Sequence, residues 1–343
     1  MAVTPLAIKY RPKSFEDLSE QESIVSILTN QVETKTFQHA YLFIGSAGVG
    51  KTTSARIFAN MINDGKGRPI EVDAASNSGV DNIRNNIIDD SKKKSLDSEY
   101  KIFIIDECHS LSNSAWQALL KLLEESPKYS IFILCTTNPE KIPATIISRV
   151  QQFKFNRISN DGIKSRLVDI YDKEKEEDSE ITVSDEALDY ISKLARGGLR
   201  TAITNLDKCL SFSKSVDLDV VINVIDTVNY DTFFSFTEKL INKDKDCINT
   251  INNLYNSGKD LKQFNLDYMK FLLDVMSYII FNNIDSTDFP KDNNVISKLD
   301  KFKDKEEIIL NIIRVVKDLN YEARFNSDLK TLFSITYLLY CGE

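Results

Sequence analysis

Residues 45 to 52 read GSAGVGKT, directly after the apolar run YLFI (41–44) and directly before a helical pattern. The spacing matches G-x-x-x-x-G-K-[ST] in the strand-to-helix setting where that motif holds phosphate. Gly45, Gly48 and Gly50 let the backbone curl so that its N–H groups face the phosphates. Lys51 supplies charge to the β and γ groups, and Thr52 offers its hydroxyl to Mg²⁺. The helix that opens there adds its positive dipole end. The expected nucleotide-binding run is Gly45, Ser46, Ala47, Gly48, Val49, Gly50, Lys51, Thr52 and Thr53, and the expected ligands are ATP and Mg²⁺.

Outward from this loop, IEVDAAS (70–76), KIFIIDE (101–107) and SIFILCTT (130–137) join YLFIG (41–45) as short apolar runs. They read as strands buried on both faces, as a parallel sheet requires. Helical patterns separate them. In SNSAWQALLKLLEES, Trp116, Leu119, Leu120 and Leu123 fall on one face, and Ser112 or Ser114 can cap the start. The alternation predicts a doubly wound α/β domain.

The strand IFIID ends in two carboxylates. Asp106 is placed to hold the water shell of Mg²⁺, and Glu107 to polarise a water for attack on the γ-phosphorus. At the end of the next strand, Thr137 is placed to orient that water or to touch the γ-phosphate. His109 reads as a loop histidine without a role.

The 343-residue chain carries a formal charge of −8. No global field draws it to nucleic acid or to an anionic membrane, so any DNA surface must be local. Five cysteines are scattered with no C-x-x-C pair. That spacing argues against structural zinc and a disulfide framework and for a reducing cytoplasm. The start has no apolar signal core, and FLLDVMSYIIF (271–281) is too short to span a bilayer.

Three domains are expected: 1–155 as the nucleotide-binding α/β domain, 156–226 as a small helical domain, and 227–343 as an all-helical one. The middle part loses the strand signal, and KEKEEDSE (173–180) reads as a solvated connection. In the last part, the helix around 261–282 carries two apolar stripes. One is Leu266, Met269, Leu273, Met276 and Ile280; the other is Tyr268, Leu272, Val275 and Ile279. A helix apolar on two sides packs in a bundle and often partly against another chain.

Taken together, KYRPKSFEDLSEQE (9–22), the phosphate loop, EVDAASNSGVDNIR (71–84), IIDECHSLS, LLKLLEESP, TTNPEKIPATIISR and GGLRTAITNLDK (197–208) resemble the bacterial DNA polymerase III clamp-loader gamma/tau subunits, which are AAA+ ATPases. The resemblance runs from residue 1 to about 210, and the helical remainder fits that family's collar domain loosely. It implies an AAA+ domain, a helical lid and a collar. It further implies a ring of five subunits that grips and opens a sliding clamp and releases it on primer-template DNA. Lys51, Thr52, Asp106 and Glu107 keep their phosphate and metal roles, with Asp106 reaching the metal through water. Thr137 becomes the first sensor and Arg200 the second, touching phosphate in its own subunit. Arg11 and Pro12 fall near the base and ribose. Arg149, which has no acidic residue within four positions, becomes the finger that reaches the next subunit's site. Such an arginine supplied in trans is worth on the order of 10³–10⁵ in rate.

Two departures stand out. Val150 replaces the cysteine of the family's Ser-Arg-Cys motif. The cysteine-bearing zinc module expected before EVDAAS is absent, with only NDGKGRP (63–69) in its place, so no structural zinc is expected. In that respect the chain is closer to the small subunits of replication factor C. The chain also ends at the collar, as a compact or phage-encoded version would. In AASNSGVDNIRNN, small polar residues at a helix start suit a DNA phosphate, which makes Ser76, Asn77, Ser78 and Arg84 the DNA-binding candidates. The partners implied are other loader subunits, the clamp and primer-template DNA, with no membrane, in the cytoplasm at the nucleoid. The alternatives are another AAA+ DNA motor, for branch migration or origin melting, and a non-hydrolysing structural arm of a loader.

Overall fold

The computed structural model describes residues 4–76, 87–91, 93–125, 127–225, 230–289 and 293–342. The chain divides into two compact units, one of residues 1–178 with 191–207 and the other of 179–190 with 208–343.

The first unit is organised by a parallel sheet of five strands: β1 (Ala40–Ile44), β2 (Ile70–Asp73), β3 (Lys101–Asp106), β4 (Ser130–Thr136) and β5 (Gln151–Lys154), in the order β2-β3-β4-β1-β5. Side chains alternate between two cores, as the two-residue period of a strand demands. Phe103, Ile105, Phe132 and Leu134 enter one core, while Ile102, Ile104, Ile131 and Ile133 enter the other. Phe103 and Phe132 stack at 5.2 Å between ring centres. Each such phenylalanine, fully buried, contributes about 1.5–3 kcal/mol by leaving water.

Helix α1 (Glu22–Thr34) and helix α2 (Lys51–Ile62) cover one face, through residues such as Leu28, Ala55 and Phe58. Helix α3 (Asn113–Glu125) covers the other with Trp116, Leu119 and Leu123. Ser112 caps it, its Oγ accepting the Ala115 N–H at 3.2 Å.

Two expectations need correction here. β2 is an edge strand with only Val72 buried, so it is not covered on both faces. β5 is a fifth strand that the pattern did not announce. It reads QQFK, buries only Phe153, and pairs in parallel with β1. At a sheet edge a strand needs little apolar sequence, which is why its signal is weak.

Helix α4 (Asn160–Glu177) is capped by Ser159, whose Oγ accepts the Gly162 N–H. It runs on through most of the acidic stretch read as a connection. Lys9 Nζ reaches Glu174 at 2.8 Å and Glu177 at 2.6 Å, and the Tyr10 hydroxyl donates to Glu174 at 2.7 Å. These contacts, 164 to 168 residues apart in sequence, hold the acidic turns in place. Helices α5 (Asp185–Leu194) and α6 (Leu199–Phe212) follow, and their residues 191–194 and 199–207 belong to this unit.

The second unit holds a short parallel pair, β6 (Thr182–Val183) with β7 (Ser215–Val216), in a region expected to lack strands. Its helices include α7 (Leu218–Ile225), α8 (Tyr230–Ile241), α9 (Cys247–Asn256), α10 (Leu261–Phe281), α11 (Asn293–Asp300), α12 (Glu306–Glu322) and α13 (Leu329–Gly342). Aromatic rings dominate the core, with Phe236 edge-on to Tyr337 at 5.0 Å and Phe264 stacked with Tyr268 at 6.0 Å. Asn265, fully buried, donates to the Val316 carbonyl and to Asn320, and accepts from the Tyr337 hydroxyl at 2.7 Å. That network ties α10 to α12 and α13. The two stripes of α10 differ: Tyr268, Leu272 and Val275 of one are buried, whereas in the other Leu266, Leu273 and Ile280 are 46%, 52% and 60% exposed and Met276 is buried. Among the described residues, no helix is long and apolar enough to cross a membrane.

Candidate nucleotide-binding site

Strand β1 stops at Ile44 and the chain turns sharply into the phosphate loop. A Cβ on Gly45 would lie 2.8 Å from the Phe155 carbonyl oxygen, so no larger residue fits there without displacing backbone. Gly48 and Gly50 hold φ of +77° and +103°, where L side chains are strained. Lys51 then opens α2. It is 5% exposed, and its Nζ donates to the carbonyls of Gly45 and Ser46, both at 2.8 Å. Burial pushes its pKa down, opposed by the carboxylates of Glu107 and Asp106. This buried cation rests on neutral carbonyls at the mouth of a loop, an arrangement that suits an anion.

One residue further, the Thr52 hydroxyl donates to Asp106 Oδ2 at 2.8 Å. Burial raises the Asp106 pKa, while this bond and the Glu107 backbone N–H lower it. A hydroxyl beside a single carboxylate matches how Mg²⁺ is held, with waters and phosphate oxygens completing its shell. The residues present therefore fit a Mg²⁺–nucleotide.

Glu107 follows the same strand in a left-handed conformation, with φ 45° and ψ 43°. The Thr137 hydroxyl donates to its Oε2 at 3.0 Å. Thr137 thus meets the carboxylate at the end of β3, which is where the strand order β3-β4 puts it.

A cleft of about 450 Å³ gathers most of the residues singled out in the sequence. Arg11, Pro12, Ala47, Gly48, Val49, Gly50, Lys51, Thr52, Thr53, Asp106, Glu107 and Arg200 all line it. Arg200 sits in the first turn of α6, and its backbone N–H donates to the Gly48 carbonyl at 3.4 Å. A Cβ on Gly48 would come within 3.3 Å of the Arg200 Cβ. Gly45 and Ser46 frame the loop through the carbonyls that hold Lys51.

Sequence reasoning missed other lining residues, among them Tyr10, Leu18, Arg56, Glu71 and Asp73. Arg56 binds Glu71 through two nitrogens, at 2.8 and 2.5 Å. It lies one helical turn after Thr52, and that spacing was the available signal.

Arg149 is not among the cleft-lining residues. It is exposed, and its guanidinium donates to Glu124 at 2.7 Å and to the Thr145 carbonyl at 2.7 Å. No acidic residue close in sequence could hold it, yet one 25 residues away does. Ser76 is exposed and bonds Asp73 at 3.0 Å. The other DNA candidates, Asn77, Ser78 and Arg84, lie outside the described residues.

Comparison with known proteins follows the same lines. A family model for the DNA polymerase III delta subunit matches residues 20–79 and 68–159. The tau subunit of DNA polymerase III from Bacillus subtilis is 38% identical over 78% of this chain and 51% of its own length. The gamma subunit from Buchnera aphidicola of Schizaphis graminum is 33% identical over 89% of both chains. The chain belongs to the DNA polymerase III gamma/tau subunit family. This gamma/tau chain spans about half the length of the longer Bacillus relative.

Among solved structures, Thermotoga maritima RuvB, a Holliday junction branch migration motor, is similar with a TM-score of 0.50 and 20% identity. That match covers 68% of this chain and 79% of the RuvB chain. A mutant form of the same RuvB gives 0.52 at 18% identity, over 67% and 80% of the two chains. At these identities the likeness is one of fold. The gamma/tau chain has an AAA+ P-loop fold followed by further helices.

Proposed function

We propose that this chain is an ATP-hydrolysing motor subunit of a sliding-clamp loader, opening the clamp and placing it on primer-template DNA at cytoplasmic replication forks. The observation that carries the reading is the convergence of Lys51, Thr52, Asp106, Glu107 and Arg200 on one cleft, with Thr137 holding Glu107 from behind, in a chain whose relatives are gamma and tau subunits. The complete set weighs against a structural arm that binds without hydrolysing.

In this reading Lys51, the loop N–H groups and the α2 terminus bind the triphosphate, and Arg200 adds a second cation from the lid. Arg11 and Pro12 face the base and ribose. Thr52 and Asp106 would hold Mg²⁺, Asp106 through water; the ion neutralises charge on the β- and γ-phosphates when bound. Glu107 takes the proton of the attacking water, and Thr137 keeps its carboxylate aimed. Arg149 acts on the neighbouring subunit's site. Residues 1–155, 156–226 and 227–343 serve as motor, lid and collar of a five-membered ring. The exposed Leu266, Leu273 and Ile280, spaced by seven along α10, support a collar that packs against a neighbouring subunit. Ser76, Asn77, Ser78 and Arg84 track the DNA backbone.

The test is the ATPase rate of the purified chain, with its companion subunits, in the presence and absence of clamp and primed DNA. Stimulation by the two together is expected. A rate indifferent to both would rule out the clamp-loader reading.

A further inference from the structure

The segment 5–12 supplies Ala7, Tyr10, Arg11 and Pro12 to the wall of the nucleotide cleft. Among the described residues, however, the hydrogen bonds that leave residues 5–10 all run to helices α4 and α6. At the start of the segment, the Leu6 backbone N–H donates to Asp207 Oδ2 at 3.1 Å, across 201 positions of sequence. Leu6 opens a four-residue helix, Leu6–Lys9, so this N–H has no partner within its own turn. At the other end, the Tyr10 hydroxyl and Lys9 Nζ share Glu174 Oε1, at 2.7 and 2.8 Å, and Arg166 donates to the Tyr10 carbonyl at 3.4 Å.

Asp207 stands seven positions after Arg200 on α6, two turns and about 10 Å along the axis, on much the same face. The first turn of α6 rests on the phosphate loop, where the Arg200 N–H meets the Gly48 carbonyl at 3.4 Å. Its third turn rests on Leu6. One helix therefore joins the loop read as the phosphate site to the segment that forms another part of the cleft wall. Leu6 is 5% exposed, so water is a poor substitute for the carboxylate at its N–H. A stranded buried donor shifts an equilibrium by roughly 5–150-fold. Neither Asp207 nor Glu174 lines the cleft, so each can influence a bound nucleotide only through the segment.

We propose that Asp207 is a positioning residue for the nucleotide: by holding the Leu6 N–H it latches segment 5–12 onto α6, so that the wall facing base and ribose is set in register with Arg200 and the phosphate loop. The inference rests on the nucleotide-binding reading above and deepens it. Glu174 makes a second latch at the far end of the segment, through the Tyr10 hydroxyl and Lys9. This one is weaker, because the Lys9 side chain is 31% exposed and its ion pair is screened by water. An unlatched segment spends part of its time away from the cleft, and apparent affinity falls with the fraction that stays competent. The contacts of Lys51 and the loop with phosphate do not pass through the segment.

The experiment is calorimetric titration of the full chain with ATP and with inorganic tripolyphosphate, each with Mg²⁺, in wild type, Asp207→Ala, Asp207→Asn and Glu174→Ala. Tripolyphosphate offers the loop its phosphates but has no base or ribose to meet the segment. Asp207→Ala should weaken ATP about 10-fold and tripolyphosphate by less than about twofold. Asparagine keeps an oxygen for the Leu6 N–H and should bring ATP back to within about threefold of wild type. Glu174→Ala should weaken ATP about threefold, again sparing tripolyphosphate. A general loss of stability would move both ligands together, so the split between them separates the latch from the fold. Should Asp207→Ala fail to fold, as thermal unfolding would reveal, Glu174→Ala carries the same test. Unchanged ATP affinity in the alanine variants, equal losses for the two ligands, or an asparagine variant as weak as Asp207→Ala would overturn the proposal. A wild-type chain that binds neither ligand would bring down the nucleotide reading itself; wild-type binding with indifferent variants would remove only the latch.

Discussion

The phosphate cleft and the surface around Arg149 belong to one unit yet are built on opposite plans. In the cleft, the central charged groups are cross-bonded and at least partly buried: Lys51 on loop carbonyls, Asp106 on Thr52 and Glu107 on Thr137. Arg149 stands outside it, 38% exposed in its side chain, held by Glu124, itself 49% exposed. Buried, multiply bonded groups are fixed before a ligand arrives, whereas an exposed ion pair is worth about 0–1 kcal/mol and exchanges easily. The contrast separates two tasks. In the function proposed above, binding is organised within one chain, and Arg149, held loosely outside the cleft, is the cation offered to a second chain.

The comparison is tested most severely by Arg149→Ala. Nucleotide affinity should stay within about threefold of wild type, while turnover stimulated by clamp and DNA should fall by about 10³–10⁵. Equal losses of binding and turnover would place Arg149 in its own cleft and erase the distinction.

On the cleft side, Thr52→Val removes the hydroxyl that donates to Asp106 and keeps the shape of the side chain. Titration with Mg²⁺ should show nucleotide affinity lowered by about 10–100-fold, with the loss absent when Mg²⁺ is withheld. A loss independent of Mg²⁺ would mean that Thr52 supports the loop and not the metal.

The smallest effect should come from Glu124→Gln, which releases the Arg149 guanidinium. Stability should change by less than about 1 kcal/mol, and the ATPase of the assembly by less than about fivefold, more at low salt than at high. A collapse of activity comparable to that of Arg149→Ala would show that Glu124 orients the finger and does more than park it.

What could be read from the sequence follows the same physical division. β1, β3 and β4 were legible because both of their faces are covered, which demands unbroken apolar runs. β5 and the β6–β7 pair were not, since edge position and two-residue length leave no such demand. The phosphate loop was legible because backbone geometry forces glycine at particular steps. The pairing of Glu107 with Thr137 depended on strand order, which puts residues 30 positions apart side by side. Likewise, the acidic run 173–180 read as solvated because its cations, Lys9 foremost, come from the far end of the domain in sequence. Local pattern reveals burial and turns; long-range ion pairs such as Arg149–Glu124 leave no local trace.

The most direct test of the division between binding and hydrolysis is turnover per chain followed through dilution, with particle mass measured at each step. Single chains should still bind ATP but hydrolyse it at under about a thousandth of the assembled rate. Single chains that hydrolyse ATP at the assembled rate would contradict the account.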